Sequence, residues 1–266
     1  NNVIEGTVSL PLNLSELTKG SNIKFSWNRH YNFGYGRKVF GKDSVFSIYA
    51  GVGGRFIQSM AMVDLISDNN GVRMNTSISP AFNINYGSIA NLNPSSFYQT
   101  SGIPIPVGTG YGVDFSASIK MLGVLNLALA VNNLGAVKYK RNVYRVRDTL
   151  VTGMTLSGLD DLNITNSLNP LLEEGGFLSL EGKESYTVKN ASNFRFGASL
   201  DLGRIASLGF DFVAPFNSDT PGSIINPIYS FGMDLNIFKW LTLSAGYFGG
   251  GIYKDNIPVG VNFIFG

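Results

Sequence analysis

The sequence predicts an all-β fold, a transmembrane antiparallel β-barrel of roughly 10–14 strands with short periplasmic turns and long extracellular loops. Three observations predict it. The hydrophobic period is two over most of the chain. Charge is scarce, at 14% of 266 residues, against about 25% in an ordinary soluble domain. Glycine is abundant, with 32 residues, where about 7% is usual. A hydrophobic fraction of 44% and a net charge of +2 exclude a disordered chain. The absence of Cys removes disulfides, thiolate metal sites and Cys nucleophiles. No apolar run is long enough for a transmembrane helix.

The early strands are expected at 2–12, 21–28, 44–58 and 72–86, with weaker alternation. The clearest strand is 110–121. Tyr111, Val113, Phe115, Ala117, Ile119 and Met121 fall on one face, and Gly112, Asp114, Ser116, Ser118 and Lys120 on the other. The same alternation recurs at 125–132, 194–202, 207–214, 229–237, 241–248 and 257–265. A helical turn is expected only inside 160–175. Short turns are expected at Leu122–Gly123–Val124, Gly203–Arg204–Ile205 and Phe238–Lys239–Trp240. Residues 217–226, 249–256 and the acidic stretch 148–190 are expected as extracellular loops. In the first half, Lys42–Asp43 and Ser67–Gly71 read as turns, so 72–86 and 110–121 must run in the same direction. A strand within 87–108 would restore alternation, but Pro94, Pro104 and Pro106 oppose one.

The polar face decides which surface meets lipid. A soluble barrel covers its outside with Lys and Glu. Here the polar face carries Gly, Ser, Asn and a few Asp. Residues 205–266 hold only six charges, Asp211, Asp219, Asp234, Lys239, Lys254 and Asp255, mostly at turns or loops. Lys or Arg on a lipid-facing surface costs about 2–4 kcal/mol at mid-bilayer, so charge-free apolar faces favour a membrane barrel.

The whole chain, 1–266, reads as one barrel domain without a fixed-period repeat. No basic–apolar–small leader opens it, so either a leader has been removed or the chain is a piece of something longer. Phe263 and Phe265, followed by Gly266, fit the aromatic end common among bacterial barrels.

Asp114, Lys120, Arg195, Asp201, Asp211 and Asp234 are expected to face the lumen. They form either a selectivity constriction or a salt-bridge network that packs a narrow lumen. Lys138, Lys140, Arg141, Arg145 and Arg147 form a basic stretch before the acidic loop. That stretch meets lipopolysaccharide phosphates or a partner protein, or it is a solvated extension neutralised by its own loop. The second is preferred, because long-loop charges are commonly solvated. Trp27, Tyr229, Trp240, Tyr247 and Tyr253 lie near expected strand ends and read as interfacial anchors.

No catalytic residue and no cofactor is expected. His30 is the only His, and no nucleophile elbow accompanies it. Gly249–Gly251 is a loop tip without a Walker lysine. Asp160–Asp161 lacks the spaced ligands of an EF-hand. The sequons at Asn13, Asn75, Asn163 and Asn190 carry no weight in a bacterial host.

The run LNLALAVNNLG (125–135) resembles a recurring strand end of FadL-like and PorV-like bacterial outer-membrane barrels. GYGVDFSASIKMLG (110–123) and GVGGRFIQSMAMVDL (51–65) are similar to other strands of that group, and AVKYKRNVYRV (136–146) to an uncharacterised branch of it. The resemblance implies an outer-membrane location and a barrel of about 14 strands with an N-terminal plug. No plug-like segment precedes the first strand here, which leaves open whether an N-terminal portion is missing. The expected function is passive passage or binding of small solutes, hydrophobic ones included, through a polar lumen. The alternatives are an accessory barrel in a secretion or barrel-assembly machine, and a secreted β-sandwich that binds carbohydrate. Expected partners are outer-membrane lipid, lipopolysaccharide and other envelope proteins; the weak net charge gives no reason to expect nucleic acid.

Overall fold

A computed structural model describes residues 12–13, 19–42, 45–69, 71–84, 86, 89–98, 102–147, 150–151, 179–252 and 255–264. The strands in chain order are β1 (Leu12–Asn13), β2 (Asn22–Lys42), β3 (Phe46–Asp68), β4 (Gly71–Ile78), β5 (Gly108–Met121), β6 (Leu125–Tyr139), β7 (Val143–Arg147), β8 (Leu150–Val151), β9 (Ser179–Lys183), β10 (Tyr186–Lys189), β11 (Asn193–Asp201), β12 (Ala206–Pro215), β13 (Ile228–Phe238), β14 (Leu241–Gly250) and β15 (Val259–Phe263). Thirteen of them form one antiparallel sheet, and β1 pairs with β8 apart from it. The protein is therefore all-β. The sheet is not closed: among the described residues its order leaves β2 and β15 unpaired with each other.

The late strands stand where the alternation put them, within a few residues, except that β6 runs seven residues beyond the expected end at 132. Among the early ones, β2 and β3 are longer than expected, because they run through segments whose alternation is broken by glycine and by Arg29, Arg37 and Arg55. The direction problem is solved by β3. Its outer part pairs with β4, from Ala61 opposite Ile78 to Asp68 opposite Gly71. Its inner part pairs with β5, as the Val107 N–H to Ser59 carbonyl and Leu122 N–H to Val45 carbonyl bonds show, both at 2.8 Å. Two strands of equal direction thus share one partner, and among the described residues no strand lies within 87–107. The expected strand 72–86 ends at Ile78, where Ser79 opens a 3-10 turn over Pro80–Phe82. A four-residue helix, Ile89–Leu92, follows. The helical turn expected within 160–175 and the strand over 2–11 lie outside the described residues. The expected loop 148–190 is corrected at its end, where β9 and β10 are strands. Leu180 is the one strongly apolar side chain of β9, so its alternation is illegible; pairing with β7 makes it a strand.

Residues of β2, β3, β5 and β6 are divided between two compact units. The first comprises residues 1–29, 58–109 and 137–188. Its core holds Val72, Met74, Tyr86, Tyr144, Val146 and Leu180, with Val63, Leu65, Ile84 and Ala90 packed against it. The rings of Tyr86 and Tyr144 stack at 4.2 Å, a contact worth about 0.5–1.5 kcal/mol beyond area burial. The segment after the helix is fastened by buried amides. Asn93 Nδ2 donates to the Val143 carbonyl at 2.8 Å, and its Oδ1 accepts from the Ser95 N–H and hydroxyl. Asn142 Nδ2 donates to the Ile78 carbonyl and Asn142 Oδ1 accepts from the Phe97 N–H. These bonds satisfy backbone groups that the prolines leave outside a ladder.

The second unit comprises residues 30–57, 110–136 and 189–266. Here β6, β11, β12, β13, β14 and β15 pair in sequence. Register sorts most of their side chains over the central rows, with Phe248, opposite Ser230, and Val213, opposite Arg195, as apolar members of the polar face. Leu129, Phe196, Phe212 and Tyr229 share one row, and Leu127, Ala198, Phe210, Phe231 and Tyr247 the next, all on one face. The opposite face carries Ala128, Gly197, Asp211 and Ser230, then Asn126, Ser199, Gly209, Gly232 and Gly246. The apolar face is the exposed one: Phe231, Phe210, Leu129, Leu243 and Val261 are all open to the surroundings.

Candidate functional site

The polar face of the second unit gathers most of its chemistry. On β3 and β5, Arg55 Nη2 meets Asp114 Oδ2 at 2.6 Å, and both side chains are about three-quarters buried. The other Asp114 oxygen accepts the Asn133 N–H at 2.6 Å. A carboxylate with both oxygens engaged by charge-assisted bonds is held in one geometry. Glycine makes this approach possible. A Cβ on Gly112 would stand 2.6 Å from Asn133 Oδ1 and 2.8 Å from Arg55 Cγ.

The backbone of Asn133 is placed by an irregularity of β6. Asn133 has φ 61° and Gly135 φ 156°. A Cβ at Gly135 would collide with the Tyr111 carbonyl oxygen, so this position accepts only glycine. The Gly135 carbonyl accepts the Asn190 N–H, and Asn190 Nδ2 donates to the Tyr111 carbonyl. The Asn-Asn-Leu-Gly end of the LNLALAVNNLG run is therefore a device that bends β6 and presents one N–H to Asp114.

On β11 and β12, Arg195 and Asp211 form a bidentate pair, Nε to Oδ1 at 2.9 Å and Nη2 to Oδ2 at 2.8 Å. It borders a hollow of about 670 Å³ with Lys38, Tyr49, Gly51, Ser116 and Ser118. Asp234 accepts from the Ser244 hydroxyl at 2.6 Å and the Ser207 hydroxyl at 3.2 Å. Lys120 borders a neighbouring hollow of about 430 Å³ with Asn126 and Ser199. Asp201 differs: its carboxylate accepts the Gly203 N–H at 2.9 Å, which closes a turn. All six sequence candidates thus stand on one face, Asp201 in the row of Ser207 and Asp234, where it also closes a hairpin. Arg55 was missed. It lies 59 residues from Asp114, and only the pairing of β3 with β5 brings them together. An arginine in an otherwise Gly-rich strand was the available signal.

In the first unit, Lys138, Lys140, Arg141 and Arg145 are exposed. Arg145 stands opposite Glu181 in the β7–β9 ladder, while Glu181 meets Lys183 at 2.8 Å. Arg141 donates to the Pro106 carbonyl and lies 4.9 Å from the Phe97 ring centroid. Arg147 is on β7, and its side chain lies outside the described residues, as do Tyr253 and the acids at 148, 160, 161, 173 and 174. Trp27 is not at a strand end: it sits well inside β2 and packs edge-on against Phe82 at 5.4 Å. Tyr229 and Tyr247 stack at 6.0 Å near one end of β13, and Trp240 lies in the turn at the other. Among the described residues no group of three His, Asp or Glu side chains is gathered as a metal site requires.

Fold and faces together define an antiparallel β-sheet protein with a small-residue, ion-paired polar face and an exposed apolar one. Residues 8–266 match the profile of a family of unknown function, DUF5723, and the chain belongs to that family. No curated protein matches the chain. A solved structure described as "Asymmetric conductivity of engineered proteins" is 10% identical, covers 90% of this chain and 91% of its own, and has a TM-score of 0.25. A likeness of that size carries no argument. No helix among the described residues is long and apolar enough to cross a membrane.

Proposed function

We infer that the second unit forms the membrane-crossing wall of a bacterial outer-membrane β-barrel whose polar face lines a passive path for small solutes. The observation that carries this is the inverted distribution of side chains. Aromatic and aliphatic rows stand exposed on one face, and Gly, Ser, Asn and ion-paired Asp on the other. A soluble monomer rarely exposes a contiguous apolar patch beyond about 300–600 Å², and a carbohydrate-binding sandwich would bury these rows between two sheets. Strand length also supports the reading. β11 to β14 have 9, 10, 11 and 10 residues, the length of a tilted crossing. Barrel closure belongs to this proposal.

The path has no built affinity site in this reading. Its wall is narrowed by two Arg–Asp pairs, which act by charge and size on whatever passes. Detergent-purified protein in planar bilayers tests it. Stable conductance steps, with ion selectivity altered by Arg195→Ala, are expected. A silent barrel that copurifies with envelope proteins would replace transport by the accessory role. A protein that stays folded and monomeric without detergent would end the membrane reading.

A further inference from the structure

We propose that the hairpin end of the second unit is a docking rim for anionic phospholipid headgroups. This deepens the membrane reading above and rests on it. Three hairpins of the sheet repeat one pattern, an exposed basic side chain in the turn or at the strand end next to it, beside exposed apolar ones. Lys42 lies between Phe40 and Val45, Arg204 precedes Ile205, and Lys239 separates Phe238 from Trp240. Antiparallel order fixes where these turns emerge. The β2–β3, β11–β12 and β13–β14 hairpins all stand at the same end of the sheet.

The apolar half of the rim is organised. Phe238 and Trp240 stack at 5.3 Å with their planes 8° apart, and Trp240 stacks on Phe263 at 6.2 Å. This makes a plate of three rings across the ends of β13, β14 and β15. Aromatic rings of this kind settle at the headgroup level, where one edge is wet and the other apolar. The basic half supplies the choice of lipid. Lys42, Arg204 and Lys239 are exposed, and two described carboxylates near the hairpins, Asp201 and Asp234, are hydrogen-bonded elsewhere. Asp201 is bonded to the Gly203 N–H, and Asp234 to two Ser hydroxyls on the polar face. A cation near an anionic membrane surface is worth about a fivefold gain in local association.

The spacing agrees with a bilayer. From Phe238 to Tyr229, which stacks with Tyr247, β13 advances nine residues. At ~3.3 Å per residue that is about 30 Å of strand, or about 23 Å along the normal at a tilt near 40°. The apolar band of an outer-membrane barrel is about 25 Å tall. The rim therefore marks one boundary of the band.

The chain has two Trp, so Trp27→Phe leaves Trp240 as the sole indole reporter. The test is quenching of Trp240 in reconstituted vesicles by nitroxide-labelled lipids. Expected is strong quenching by headgroup-labelled phosphatidylglycerol, several-fold above equally dilute headgroup-labelled phosphatidylcholine. That preference is expected to vanish in K42Q/R204Q/K239Q and, without any substitution, at high salt. The salt arm stands even if the triple variant does not fold. Equal quenching by both lipids, or quenching only by a label at the acyl-chain centre, overturns the rim and leaves the membrane reading intact. No quenching by any label, with the protein free of vesicles, overturns both.

Discussion

The two units solve the burial problem in opposite ways. Apart from Ile57 and Ala206, every buried hydrophobic side chain among the described residues belongs to the first unit. Tyr144, Val143, Val146, Met60 and Met62 are wholly enclosed there. The second unit uses the same residue types at the same period of two, yet leaves Phe33, Tyr35, Phe210, Phe231 and Val261 open. The period of two does not separate the two; what a side chain meets does. In the first unit an apolar face finds another apolar face. In the second it finds none among the described residues, and its polar face is built mostly of small residues that admit ion pairs.

The sharpest way to break this comparison is to cut the packed core. Tyr144→Ala is expected to cost about 3–5 kcal/mol, the range for losing a buried aromatic. Phe231→Ala, on the exposed face, is expected to cost less than about 1 kcal/mol in detergent, because an exposed ring gives up little packing. Denaturant titration read by near-UV circular dichroism measures both. Equal losses would mean the two faces are buried alike.

The next effect is a charge on the exposed apolar face. Phe231→Arg is expected to cost about 2–4 kcal/mol when the protein folds into vesicles. Ser230→Arg, one residue away on the polar face, is expected to be tolerated. If the two behaved equally in folding yield against denaturant, that face would not meet lipid.

Smaller still is the Arg195–Asp211 pair. Both partners are partly exposed, at 58% and 32%, so Arg195→Ala is expected to change stability by no more than about 1 kcal/mol. On the proposed solute path its larger effect is expected in conduction, where the freed Asp211 should shift the reversal potential in a salt gradient toward cation selectivity. An unchanged reversal potential would take this pair off the solute path.

The smallest effect is a pH dependence of the first unit. Burial raises the Tyr86 phenol far above its ordinary value, and its hydroxyl finds no hydrogen-bond partner among the described residues. The folded state then holds its proton where the unfolded chain has lost it. Stability is therefore full below about pH 10, the ordinary tyrosine value, and falls as pH rises beyond it. Tyr86→Phe should remove its share of that slope at little cost in neutral solution. A slope identical in the two proteins, followed by thermal melts from neutral to alkaline pH, would show that Tyr86 ionises freely.

Legibility followed locality. The strands β5, β6 and β11 to β15 were readable because alternation and two-residue turns are set by neighbours in the chain. At Leu122–Gly123 both residues have positive φ, the conformation a tight hairpin requires. The face of Asp114, Lys120, Arg195, Asp211 and Asp234 was readable for the same reason. β9 was not, since its strand character comes from β7. Nor was the helix at Ile89–Leu92, in a segment whose prolines pointed only to the absence of a strand.

The sequence by itself determined the class of secondary structure, the two faces of each late strand and the hairpin turns. Those are properties of a pleated backbone, in which successive side chains must point to opposite sides. Tertiary structure alone decided that β3 serves both β4 and β5, that Arg55 answers Asp114, and that one unit has a filled core while the other has an exposed apolar face. Pairing and burial depend on residues far apart in the chain, and a period of two is the same whether its apolar side meets a core or meets lipid.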